Sequence, residues 1–104
     1  MNNIPKLFNL KNRTIILTGS AGRLGSRFAH VLAESGANLV LVDIDEEKNK
    51  KLSKSLVQKF NIKSIVSTTD ISNQRQVKKL VSDTLKKYGK IDVLINNAHF
   101  LPRK

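Results

Sequence analysis

The sequence predicts an α/β fold on a parallel sheet, with the element order β-α-β-α-β-α-β over 104 residues. Short, continuously apolar runs alternate with segments whose apolar residues recur every three or four positions, the signatures of buried strands and amphipathic helices. A glycine-rich turn stands between the first run and the first periodic segment. No internal repeat or low-complexity linker interrupts the alternation, and such alternation argues for helices on both faces of the sheet. Right-handed crossovers then give the strand order 3-2-1-4 and put a ligand crevice where the order reverses, between the first and fourth strands.

Residues 14–17 are the first strand. Leu24, Phe28, Val31 and Leu32 mark one face of the first helix, which ends at Ser35-Gly36 because glycine accepts the left-handed backbone that closes a helix. Residues 39–42 read Leu-Val-Leu-Val, as a strand buried on both faces requires. Asp45, Glu46 and Glu47 place negative charge at the start of the second helix, where it complements the dipole, and Leu52, Leu56 and Phe60 form its inward stripe. Residues 64–68 give a third, weaker strand. Ser72 is the expected cap of the third helix, whose inward face is Val77, Leu80, Val81, Thr84, Leu85 and Tyr88 and whose stop is Gly89. Residues 91–95 are the fourth strand, and Asn96-Asn97-Ala98-His99 leaves its carboxyl end. With one helix on the far face, the first and fourth strands and the outer edge are expected to be partly uncovered, and the isolated chain to be marginal.

Composition narrows the function classes. There is no cysteine, so a disulfide framework, a thiolate metal site and a cysteine nucleophile are all excluded. The apolar runs are far shorter than the ~20 residues that cross a bilayer, and the first ten residues lack the apolar core of a signal peptide. A soluble cytoplasmic protein is expected. The net charge is +11, but Lys48, Lys50, Lys51, Lys54 and Lys59, with Lys78, Lys79, Lys86 and Lys87, interleave with the apolar positions of two helices. They read as solvated outer faces. Nucleic-acid binding is disfavoured, because Phe8, Phe28, Phe60, Tyr88 and Phe100 form no stacking platform with the basic residues.

The sharpest motif is Thr18-Gly19-Ser20-Ala21-Gly22-Arg23-Leu24-Gly25, between a strand and a helix. Gly19 permits a tight turn, Gly22 lets backbone approach a pyrophosphate, and Gly25 lets the helix pack close to the sheet. The pyrophosphate would meet free N–H groups and the positive end of the helix dipole. Asp43, followed by Ile44, stands 18 residues beyond Gly25 at the end of the second strand. A carboxylate there accepts both hydroxyl protons of an adenosine ribose and repels a 2′-phosphate, favouring NAD over NADP. Arg23 can reach a 2′-phosphate or the pyrophosphate, which keeps NADP open.

Together these residues resemble the short-chain dehydrogenase/reductase family over residues 10–99. The lead-in Phe8-Asn9-Leu10-Lys11-Asn12-Arg13 is similar to a family N-terminus. Asp70-Ile71 resembles the pair that contacts adenine, and Asn96-Asn97-Ala98 resembles the Asn-Asn-Ala-Gly signature that lines the cofactor cleft. The resemblance implies a Rossmann-type fold and hydride transfer between nicotinamide and a small carbonyl or alcohol. Residues 1–12 are then a lead-in, 13–99 an NAD(P)-binding half-domain and 100–104 a truncated end. The implied cofactor-binding set is Gly19, Ser20, Gly22, Arg23, Leu24, Gly25, Asp43, Ile44, Asp70, Ile71, Asn97, Ala98 and His99, with no metal site.

Two departures stand out. The glycine spacing Gly-x-x-Gly-x-x-Gly resembles the extended, nucleotide-sugar-acting branch, which normally lacks Asn-Asn-Ala, and His99 replaces the glycine after that triplet. The family's acid/base tyrosine has a lysine four residues later and a serine partner. Here the one tyrosine, Tyr88, is followed at that spacing by Asp92. No catalytic residue is therefore assigned. Three readings follow: the cofactor portion of an oxidoreductase whose full-length parent binds the substrate, a non-catalytic dinucleotide module or sensor, and a fragment of an epimerase or dehydratase. A completing chain or an oligomer is compatible with each.

Overall fold

The computed structural model describes residues 9–98. Strands β1 (Thr14–Thr18), β2 (Asn38–Val42), β3 (Ser64–Ser67) and β4 (Val93–Asn96) alternate with helices α1 (Arg23–Glu34), α2 (Glu46–Phe60) and α3 (Gln74–Tyr88). All paired strands run parallel, in the order β3-β2-β1-β4. This is the predicted α/β sheet with its predicted order.

Alternation along the two central strands divides the core between the sheet faces. Ile15, Leu17, Leu39 and Leu41 point to one face and pack with Ala29, Ala33 and Leu56. Ile16, Val40 and Val42 point to the other and pack with Leu80, flanked by Tyr88 and Ile91. Each fully buried leucine or isoleucine contributes about 1.5–3 kcal/mol of transfer free energy. Strand β1 is buried throughout, contrary to the expectation that it would be partly uncovered, because α1 covers one of its faces and the α3 layer the other. Strand β4 does stand open, with Leu94 62% exposed and Val93 41% exposed.

Helix α1 corrects a reading of periodicity. The residues it seats on the sheet are Gly25, Ala29 and Ala33, with Leu32 at the margin, while Leu24, Phe28 and Val31 are exposed. Small residues let the helix axis approach the sheet, so the larger apolar stripe is turned aside. A similar shift affects α3, where Leu80 and Thr84 are buried but Val81 and Leu85 are exposed. These two line a shallow apolar groove with Val77, Lys78, Ser82 and Lys86.

The helix ends are set by local chemistry. Asp45 caps α2 by accepting from the Lys48 N–H at 3.1 Å, and Asn61 closes it in the left-handed region at φ 58°. Asn73, not Ser72, caps α3, accepting from the Gln76 N–H at 3.1 Å. Ser72 is taken up by Asp70, to which it donates through both N–H and hydroxyl. Among the described residues no helix is long and apolar enough to cross a membrane.

Candidate functional site

Register brings the strand ends into one row: Ser67 opposes Val42, Val42 opposes Thr18, and Thr18 opposes Asn96. The segments that follow all four strands therefore leave from the same edge of the sheet. In open parallel sheets this carboxyl edge is where ligands bind.

Two glycines make the first of these turns compulsory. Gly19 has φ +68°, and a Cβ there would lie 2.9 Å from the Ala98 backbone. A Cβ on Gly25 would lie 2.0 Å from the Gly19 carbonyl oxygen, so only glycine lets α1 begin this close to β1. Gly22 differs. Its nearest atom would be 3.4 Å away, which leaves its outer side accessible. It is also the N-cap of α1 and provides no side-chain hydrogen bond, whereas Asp45 and Asn73 cap the other two helices. The first turn of α1, including the exposed Arg23 and Leu24, thus starts without the acceptor that its N–H groups require. An anion suits that position.

Asp43 adjoins the same turn. Its Oδ2 accepts from the Ala21 N–H at 2.8 Å and its Oδ1 from the Asp45 N–H at 2.9 Å. A carboxylate has about four acceptor positions, so this anchoring leaves capacity for two more donors. Ile44 beside it is 74% exposed. Ser20 takes a different part: it is fully buried, its N–H donates to the Val42 carbonyl at 3.2 Å, and its hydroxyl points inward to Asn49.

The segment after β4 is joined to the turn from the other side. The Thr18 hydroxyl donates to Asn96 Oδ1 at 2.9 Å and accepts from the Asn97 and Ala98 N–H groups, both at 3.0 Å. Asn97 Nδ2 donates to the Gly19 carbonyl at 3.3 Å. Residues 19–25, Asp43, Asn97 and Ala98 thus form one connected group. Asp70 leaves β3 at the same edge but bonds within its own turn, to Gln76 and Ser72; the Ser72 hydroxyl and N–H hold its carboxyl below the usual aspartate range. Ile71 next to it is exposed.

The family model for short chain dehydrogenases matches residues 13–103. The chain belongs to the short-chain dehydrogenase family. A short-chain dehydrogenase/reductase of Gibberella zeae, dpfgG, is 36% identical over 98 residues, which are 94% of this chain and 36% of that protein. A hydroxysteroid dehydrogenase structure from Escherichia coli superposes with a TM-score of 0.83 at 26% identity, over 89% of this chain and 39% of that one. An oxidoreductase structure from Haemophilus influenza, solved with bound NAD, gives a TM-score of 0.78 at 31% identity, over 83% and 30% of the two chains. The short-chain dehydrogenase described here thus spans about a third of the length of these relatives.

Within this short-chain dehydrogenase chain, Tyr88 serves the fold. Its hydroxyl donates to the Leu39 carbonyl at 3.1 Å, and burial pushes its pKa up to about 12. It keeps its proton through the neutral range. His99 lies outside the described residues. No group of three or more His, Cys, Asp or Glu that could hold a metal occurs among those described. Sequence reasoning missed Asn49, which is fully buried on the inward face of α2. The available signal was an amide one helical turn ahead of the Leu52 and Leu56 stripe.

Proposed function

We propose that this chain is the dinucleotide-binding portion of an oxidoreductase that moves a hydride between a nicotinamide cofactor and a small carbonyl or alcohol. NAD is the preferred cofactor. The observation that carries the reading is the adjacency of Asp43 to the glycine-rich turn, through the 2.8 Å bond to the Ala21 N–H. A ribose held by that carboxylate would set its 5′-diphosphate toward the uncapped start of α1. The residues offered for the cofactor are Gly19, Gly22, Arg23, Leu24 and Gly25 around the diphosphate, Asp43 and Ile44 at the ribose, Asp70 and Ile71 toward adenine, and Asn97, Ala98 and His99 toward the nicotinamide half. Ser20 contributes by shaping the turn from beneath.

NAD, when bound, supplies the hydride acceptor. This chain's residues bind and orient it: α1 offers N–H groups to the diphosphate, and Asp43 accepts ribose hydroxyl protons while repelling a 2′-phosphate. Tyr88 is committed to the Leu39 carbonyl and is not offered for the acid/base step. Calorimetric titration tests the reading. NAD should bind at least about tenfold more tightly than NADP, and Asp43→Ala should erase most of that difference. Equal affinities for the two cofactors, or tighter binding of NADP, would contradict it.

A further inference from the structure

Beneath the turn, the side chains of Ser20 and Asn49 form a buried lock with the β2 backbone. Ser20 and Asn49 are each 0% exposed. The Ser20 hydroxyl lies 2.6 Å from Asn49 Oδ1 and 3.2 Å from the Val42 carbonyl, and its single proton goes to the closer acceptor. Asn49 Nδ2 donates to the Leu41 carbonyl at 2.8 Å, and the Asn49 N–H donates to the Asp45 carbonyl at 3.1 Å within the first turn of α2. The end of β2, the glycine-rich turn and the start of α2 are therefore held to a common centre. One residue further along each strand end lies the bond that matters for the ribose, Ala21 N–H to Asp43 Oδ2 at 2.8 Å.

Resting on the dinucleotide reading above, we propose that Asn49 is a positioning residue that acts through Ser20 to fix the Asp43 carboxylate against the turn, and so sets discrimination between a free ribose and a 2′-phosphorylated one. An apolar residue would fill this inward helix position at less desolvation cost, since a buried amide is tolerated only when its hydrogen bonds are made. Here both ends of the amide are used, one on the turn and one on β2. Removing the lock frees the turn to move away from β2, and Asp43 loses its Ala21 anchor. The carboxylate then rotates toward solvent, where it neither holds the ribose hydroxyls in place nor repels a phosphate.

Two measurements on the 104-residue chain test this. The first is amide hydrogen exchange without nucleotide, followed residue by residue in the wild type, Asn49→Leu and the milder Ser20→Ala. Ala21 exchange should accelerate about tenfold or more in both variants, while Ile16 and Leu17 in β1 stay protected. Unchanged Ala21 exchange, or acceleration of all amides together, would overturn the proposal. The second is titration with NAD and NADP. Each variant should weaken NAD binding about tenfold, the loss of one charge-assisted hydrogen bond, and leave NADP binding no weaker. The double variant should be no weaker than the weaker single one, because both act through one contact. Multiplying effects, or an unchanged NAD-to-NADP ratio, would overturn the role of Asn49 while leaving the dinucleotide reading intact. A wild type that binds neither cofactor would refute that reading, with the exchange data still deciding whether the lock exists.

Discussion

Thr18 and the glycines around it show how single atoms decide whether this edge of the sheet can exist. The Thr18 hydroxyl serves two N–H groups and one amide oxygen. Valine in its place keeps the shape and strands those partners, so Thr18→Val should cost about 1–3 kcal/mol in a urea melt, while Thr18→Ser should recover most of it. The glycines separate in the same way. Gly25→Ala puts a methyl group 2.0 Å from the Gly19 oxygen and should displace α1 or unfold the chain, whereas Gly22→Ala meets nothing closer than 3.4 Å and should stay folded while binding the dinucleotide more weakly. Thermal melts and NAD titrations of the two variants distinguish these outcomes. The roles of Gly19 and Gly25 were legible in the sequence, because their spacing after an apolar run implies both a turn and a close helix. Asn49 was not. Its partners are a serine 29 residues away and a strand carbonyl, and neither is apparent until α2 is laid on the sheet.

At the scale of elements, the seven predicted segments all occur, because short apolar runs and three-four periodicity report the backbone period directly. Periodicity says less about which face is buried. Leu24, Phe28 and Val31 make the stronger apolar stripe of α1, yet Gly25, Ala29 and Ala33 face the sheet, since close approach rewards small residues more than large ones. The cap of α3 moved from Ser72 to Asn73 because Asp70 competes for Ser72. Strand β1 has its own clamp. Asp92 Oδ2 accepts from the Thr14 N–H at 2.8 Å, with Lys90 at 3.1 Å and Arg13 at 3.6 Å. The Thr14 bond, then the Lys90 bond and charge, lower the Asp92 pKa from its ordinary value. A lowered folded-state pKa stabilises above the unfolded aspartate value of about 3.9, and that stabilisation is lost as pH falls through the folded value. The urea midpoints of the wild type and Asp92→Asn should therefore differ at pH 6 and converge as the pH falls through the lowered folded-state value. A constant gap would show that the clamp is not electrostatic.

For the molecule as a whole, exposed apolar side chains are carried by β4 and by the two helices on opposite faces of the sheet, α1 and α3. Val93 and Leu94 lie on β4, Val81 and Leu85 on α3, and Leu24, Phe28 and Val31 on α1. The relatives are about three times as long. Alone, the chain should associate through these side chains, so Val31→Lys with Leu85→Lys should reduce concentration-dependent light scattering without altering NAD affinity. Cofactor should in turn stabilise the fold by linkage, about 2.7 kcal/mol at one hundred times its Kd.

The proposed function requires a diphosphate at the start of α1 while Asp43 holds the neighbouring ribose. Backbone amide chemical shifts of the labelled chain, recorded as NAD is added, test it most directly. The largest changes should fall on residues 20–25 and on Asp43 and Ile44. Changes concentrated instead on the lysine-bearing faces of α2 and α3, with residues 20–25 unmoved, would contradict it.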